Sequence, residues 1–105
     1  MKRRRQPYTI ALSSAADEHL GGLTARDRVV VVSAIELQLV HEPTIVTRNR
    51  KPLRPNPVAP WVLRVRDLRV YYEVKDEPQP VVTIRAIGIK VRETLTIGGL
   101  EVDLS

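Results

Sequence analysis

The stretch Trp61-Val62-Leu63-Arg64-Val65-Arg66-Asp67-Leu68-Arg69-Val70-Tyr71-Tyr72-Glu73-Val74 decides the fold of this chain. Trp61, Leu63 and Val65 alternate with Val62, Arg64 and Arg66, and Val70, Tyr72 and Val74 alternate with Arg69, Tyr71 and Glu73. A period of two belongs to half-buried strands, because successive side chains of an extended chain point to opposite faces. A reversal at Asp67-Leu68 opposes Val65 to Val70, Leu63 to Tyr72 and Trp61 to Val74, with all of them on one face. The other face then pairs Arg66 with Arg69 and Arg64 with Tyr71, a cluster of arginines around an aromatic ring. Asp-Leu is a poor two-residue turn, but a longer loop closed by Val65 and Val70 keeps the same register.

Composition bounds what such a hairpin can belong to. A chain of 105 residues can bury one core, so a single domain over residues 1–105 is expected. Phe is absent and Trp occurs once, which leaves Val, Ile and Leu to build that core. The lack of cysteine excludes disulfides, thiolate metal sites and a cysteine nucleophile, and agrees with a reducing cytoplasm, the expected location. No apolar run approaches the roughly 20 residues that span a bilayer, so no membrane partner is expected. His19 and His41 stand far apart and Gly98-Gly99 lacks the surroundings of a phosphate loop, so neither a metal nor a cofactor is expected.

Charge points to a partner. Seventeen Lys and Arg against 12 Asp and Glu give a net charge of +5, and between Arg48 and Arg69 seven basic residues face Asp67 alone. Such a concentration suits a polyanion, since phosphate contacts from Lys and Arg dominate nucleic-acid affinity. A solvated basic face is the plainer alternative.

The remaining elements follow in order. Lys2 to Arg5 read as a mobile basic tail within residues 1–6, and residues 8–12 as a first strand. Ser13 or Ser14 caps a short helix that Gly21-Gly22 limits to about two turns. Thr24 caps a second helix running to about residue 41, ended by Pro43. The run of valines at 29–32 favours strand locally, yet Val29, Val32, Ile35 and Leu39 form a helical stripe widened by Leu37 and Val40. Residues 43–60 contain five prolines and read as a rigid, irregular loop carrying Arg48, Arg50, Lys51 and Arg54. After a turn over residues 76–80, residues 81–89 form a strong strand with Val82, Ile84 and Ala86 toward the core and Arg85 beside the arginine cluster. Alternation around Gly98-Gly99 marks a terminal strand or extended arm. The order predicts an α+β domain: an N-terminal strand, then an αα-hairpin packed on an antiparallel sheet of three to four further strands.

Several of these stretches together resemble a known family. They are Tyr8-Thr9-Ile10-Ala11-Leu12-Ser13 before the αα-hairpin, Lys51-Pro52-Leu53-Arg54, the hairpin from Trp61 to Tyr72, and Ala86-Ile87-Gly88-Ile89-Lys90. The resemblance is to the RelE/ParE superfamily of type II toxins and covers nearly the whole chain. It implies a small RelE-like domain neutralised by a cognate antitoxin in a hetero-oligomeric toxin-antitoxin complex. It also implies one of two targets. RelE-like members cut mRNA in the ribosomal A site as metal-independent endoribonucleases and so inhibit translation; ParE-like members poison DNA gyrase.

In the RelE-like chemistry the ribose 2′-hydroxyl attacks the neighbouring phosphate, which requires cations and a proton donor and acceptor. The resemblance assigns the catalytic cations to Arg64 on the first hairpin strand, Arg69 opening the second, and Lys90 two residues after Gly88. Lys51 and Arg54 become backbone-positioning contacts; Arg66, Arg85, Arg92 and Tyr71 are expected as further nucleic-acid contacts on the basic face, without a family motif behind them. The chain departs from the family pattern in one respect. Where a tyrosine is usual after the glycine stands Arg92-Glu93-Thr94-Leu95-Thr96-Ile97, without tyrosine or histidine. Tyr71 and Glu93 are the groups available as acid or base, while the parity of Tyr72 places it in the core. Three readings therefore stand: a ribosome-dependent endonuclease, a non-enzymatic gyrase or ribosome binder, and a degenerate toxin retained to bind its antitoxin and operator DNA.

Overall fold

The computed structural model describes residues 6–104, so the basic run read as a mobile tail lies outside the described residues. The chain runs β1 (Thr9–Leu12), α1 (Ser14–Gly22), α2 (Ala25–Leu39), β2 (Arg50–Pro52), β3 (Trp61–Val65), β4 (Leu68–Lys75), β5 (Val81–Val91), β6 (Thr94–Ile97) and β7 (Leu100–Val102). Both helices begin at hydroxyl caps. The Ser13 Oγ accepts from the Ala16 N–H at 3.0 Å, and the Thr24 Oγ1 from the Asp27 N–H at 3.1 Å, each satisfying a first-turn donor that has no partner within the helix.

The described residues form a compact α+β domain with two helices and one seven-stranded sheet. Six strands run antiparallel in the order β2-β3-β4-β5-β6-β7, and β1 lies parallel to the start of β5. Since β4 occupies one edge of β5 from Val81 to Ile89, β1 and β6 divide the other, taking Val81 to Ile84 and Gly88 to Val91 respectively. The expected three to four strands after the helices are six. The two additions are the short β2, inside the stretch read as an irregular loop, and the return strand β7.

The central hairpin forms in a different register from the one expected. It turns at Arg66-Asp67, with Val65 opposite Leu68, Leu63 opposite Val70 and Trp61 opposite Tyr72. The shift is by two residues, so every side chain keeps its face; only a shift by one would exchange the faces. Trp61 consequently stacks on Tyr72 rather than lying beside Val74, with ring centroids 6.1 Å apart. Arg66 leaves the ladder for the turn, and Arg64, not Arg66, opposes Arg69.

On one face Leu63, Leu68, Val70, Tyr72, Val82, Ile84 and Ile87 pack with Ala16, Val31, Ile35 and Leu39 of the helices. The buried stripe of α2 is thus Val31, Ile35 and Leu39, while Val29 is 66% and Leu37 80% exposed, and Val32 is exposed as well. Consecutive valines offer an apolar residue on every side of the helix, so periodicity alone does not fix which side turns inward. Arg50, only 6% exposed, donates from Nε to the Ile45 carbonyl and from Nη1 to the Gln38 carbonyl. It thereby satisfies a carbonyl of the last turn of α2 that the helix leaves unpaired.

The opposite face holds a second, smaller cluster of Ala59, Val62, Tyr71, Ala86 and Leu95. Ala86 was expected on the helix side with Val82 and Ile84. Its transfer follows from a β-bulge: Tyr72 pairs with Ile84 and Tyr71 with Ala86, leaving Arg85 unmatched, so alternation along β5 restarts with the opposite phase. At the same level, in the gap between β1 and β6 on the other edge of β5, groups of the first helix region bind its backbone. Ser13 Oγ donates to the Arg85 carbonyl at 2.9 Å, and His19 Nδ1 accepts from the Ile87 N–H at 3.2 Å. Among the described residues no helix is long and apolar enough to cross a membrane.

The Tyr72 hydroxyl donates to the Pro43 carbonyl at 2.7 Å, and burial raises its pKa well above the tyrosine range, against a weaker opposing pull from Arg50. A group kept protonated by folding contributes stability that is complete below its unfolded pKa of about 10 and is lost as pH rises through the folded value. Tyr72→Phe is expected to cost about 1 kcal/mol at neutral pH through the lost hydrogen bond. It should also flatten the decline in stability above pH 10 or so. Denaturant titrations at neutral and alkaline pH check both, and an alkaline decline as steep as in the unsubstituted chain would contradict the assignment.

Candidate functional site

The sheet face away from the helices carries an open cleft of about 510 Å³. Val62, Tyr71 and Leu95 supply buried apolar surface, and Leu53, Val102 and Leu104 close its sides. Arg64, Arg69 and Lys90 bring three cations to it, and Glu93 and Asp103 two carboxylates. Each cation comes from a different strand. Arg64 and Arg69 are directly opposed across β3 and β4. Lys90 reaches the same face because the bulge at Arg85 has changed the phase of β5.

Two like charges directly opposite each other destabilise a strand pair. The effect registers at Arg69, whose pKa is lowered first by burial and then by Arg64, with Tyr71 and Asp67 acting in the other direction. Arg69 is nevertheless held in place: its Nη1 donates to the Arg66 carbonyl at 2.7 Å and to the Leu68 carbonyl at 2.9 Å. The same turn braces β5, since the Lys90 backbone N–H donates to the Asp67 carbonyl at 2.7 Å. Burial raises the Tyr71 pKa and the Arg69 charge only partly opposes this, so near neutrality the hydroxyl is a proton donor rather than a base.

Gly88 has a geometric reason to be glycine. In the register row Arg64, Arg69, Gly88, Ile97 it is the residue with no side chain. A Cβ there would stand 2.9 Å from both Ile97 Cγ1 and the Thr96 carbonyl oxygen. Without that close approach β6 could not lie against β5 and carry Leu95 into the wall of the cleft. On the other side the wall is set by Asn56. Its Oδ1 accepts from the Val58 and Ala59 N–H groups and its Nδ2 donates to the Arg54 and Ala59 carbonyls, which fixes the proline-rich loop.

Of the residues singled out from sequence, Arg64, Arg69, Lys90, Tyr71 and Glu93 meet in this cleft. The others are elsewhere. Lys51 is in register with Val62 and so on the cleft's face, but it does not line the cleft, nor does Arg54 beyond it. Arg85 is exposed at the bulge and paired with Glu73 at 3.3 Å. Arg66 and Arg92 occupy the β3–β4 and β5–β6 turns, both with φ of 57°. A left-handed conformation costs a non-glycine residue about 1–2 kcal/mol.

Sequence reasoning did not place Asp103, Val102 and Leu104 at the cleft. The alternation in residues 100–104 was the available signal, but only the pairing of Leu95 with Val102 shows where that strand returns. A second cleft of about 610 Å³ lies between α1 and the β5–β6 hairpin; it is mainly apolar, with Glu18 and His19 at α1. Among the described residues no group of three His, Asp or Glu side chains is placed to hold a metal ion. No family model, curated protein or solved structure matches the chain.

Gly88→Ala is expected to lower stability by about 1–3 kcal/mol, because the Thr96 backbone cannot move aside as a flexible side chain can. Arg64→Ala, at an exposed position, should change it by less than about 1 kcal/mol. Thermal unfolding of the two variants side by side makes the comparison. An unchanged Tm for Gly88→Ala would show that β6 is not packed as described.

Proposed function

We propose that this protein is a RelE-like toxin of a type II toxin-antitoxin system that cuts mRNA in the ribosomal A site. The observation carrying this reading is the directly opposed Arg64–Arg69 pair, joined by Lys90 in a cleft that also contains Glu93. Unfavourable by itself, this arrangement becomes favourable around an anion, and most of all around a phosphodiester acquiring further negative charge in a transition state. The reaction then needs only groups already at the cleft. Glu93 accepts the proton of the ribose 2′-hydroxyl as that oxygen attacks the adjacent phosphorus. Arg64, Arg69 and Lys90 stabilise the phosphorane charge. The bond from phosphorus to the 5′-oxygen breaks, and the Tyr71 hydroxyl protonates the leaving oxygen. The products are a 2′,3′-cyclic phosphate and a 5′-hydroxyl, and proton exchange with solvent resets Glu93 and Tyr71. Tyr71 is assigned as the acid because it lines the cleft beside Arg69 and stays protonated near neutrality.

On this reading the partners are the ribosome, its mRNA and a cognate antitoxin, and the two helices on one face of the sheet correspond to a RelE-like arrangement. The tyrosine-free stretch from Arg92 to Ile97 supports a second reading, inhibition by binding alone, with DNA gyrase as the target.

Incubation with mRNA-programmed ribosomes, with naked mRNA as control, followed by primer extension separates the two. Cuts in the A site are expected to need the ribosome, to vanish in Arg69→Ala, and to slow by about 100-fold or more in Glu93→Gln. Intact mRNA from folded protein would overturn the endonuclease and transfer the question to gyrase supercoiling assays.

A further inference from the structure

The β3–β4 and β5–β6 hairpins turn at Arg66-Asp67 and Arg92-Glu93, and the two turns have the same composition: an arginine with φ of 57° followed by an acidic residue. Turn positions with positive φ ordinarily go to Gly, Asn or Asp. The third two-residue hairpin of this sheet follows that preference with Gly98-Gly99 at φ of 61° and 82°. Hairpin closure in this fold therefore does not require arginine. Nor does the link to Arg69, since the atom of Arg66 that receives the Arg69 guanidinium is its backbone carbonyl, which any residue would supply. Both side chains are exposed and outside the cleft.

The two turns lie at one end of the sheet. Leu68 is in register with Ile89, and the Lys90 N–H donates to the Asp67 carbonyl at 2.7 Å, so the first turn abuts the end of β5 from which the second begins. This end of the sheet is continuous with the cleft through Arg69 and Lys90. We infer that the two turns form a phosphate-gripping rim, with Arg66 and Arg92 holding the backbone of a single-stranded RNA beyond the nucleotide seated among Arg64, Arg69 and Lys90. The rim rests on the nucleic-acid reading of the cleft but not on cleavage. Its arginines are positioning residues: they touch flanking phosphates and give register without sequence information. The unfavourable backbone conformation is kept for the guanidinium that each turn presents at that end of the sheet, beside the cleft.

The test uses Arg66→Asn, Arg92→Asn and the double variant, because asparagine tolerates the left-handed region. Three quantities are measured: Tm, affinity for a long single-stranded RNA across a salt series, and affinity for a trinucleotide that fills only the cleft. Tm is expected to stay or rise. Affinity for the long RNA should fall, and the slope of its logarithm against log salt should shrink by about 0.7 for each arginine removed. Trinucleotide binding should be unchanged in these variants and weakened in Arg69→Ala. Should Tm fall together with affinity, Arg66→Gly and Arg92→Gly repeat the measurement with the other residue suited to positive φ. An unchanged slope and affinity for the long RNA in the double variant would overturn the rim, whatever the chain does to mRNA. Loss of slope in a protein that cuts nothing would keep the rim and reject the endonuclease. An unsubstituted chain that binds no RNA would end both.

Discussion

Between Tyr72, which pairs with Ile84, and Tyr71, which pairs with Ala86, the β4–β5 ladder holds one unmatched residue, Arg85. Strict alternation from Val82 and Ile84 would put Ala86, Gly88 and Lys90 beneath the helices. There Lys90 would be a buried cation, and Gly88 would face the core instead of the row that contains Arg69. The inserted residue reverses the phase. Ile87 then fills the helix-side core, and Ala86, Gly88 and Lys90 pass to the open face. Level with the bulge, in the gap that β1 and β6 leave on the other edge of β5, the Arg85 carbonyl and the Ile87 N–H are taken up by Ser13 and His19 of the first helix region, so the helical layer is tied to β5 at the feature that builds the cleft. Bulges commonly re-aim side chains in this way.

Around that feature the molecule separates stabilising from destabilising choices. The helix-side core is apolar and closely packed, its polar atoms matched: Arg50 with helix and loop carbonyls, Tyr72 with the Pro43 carbonyl. The open face does the opposite, opposing Arg64 to Arg69 and giving two tight turns to arginine. Each of these choices costs stability where a neutral or glycine residue would not. They concentrate at one end of the sheet, next to the cleft. Local departures of this kind, in a sequence otherwise consistent with its fold, are expected at functional sites.

Much of the architecture was legible beforehand because it depends on short-range physics. The Ser13-Ser14 pair and Thr24 announced the helix starts through capping, with Ser13 proving to be the first cap, and the alternation from Trp61 to Val74 gave the correct faces even though the expected register was displaced by two. Other features had no local signature. The run of valines made α2 apolar on several sides, so its inward face, Val31, Ile35 and Leu39, was settled by packing against the sheet and not by the pattern. Arg50–Pro52 carries no strand pattern of its own and becomes a strand because Trp61–Leu63 offers an edge and Arg50 finds carbonyls at the end of α2.

The candidate site divides along the same line. Sequence by itself determined that Arg64, Arg69 and Tyr71 share a face, since side-chain parity in a strand is fixed by the covalent geometry of the extended chain. It also supplied the positive charge of the hairpin region. Only the tertiary structure decided that Lys90 joins them, that Glu93 and Asp103 border them, and that Arg85 does not. Those outcomes depend on pairing between distant strands: the bulge opposite Tyr71 and Tyr72, the close approach of β6 to Gly88, and the return of β7 over Leu95. A ladder with an unmatched residue is a property of two strands together, and neither strand alone contains it.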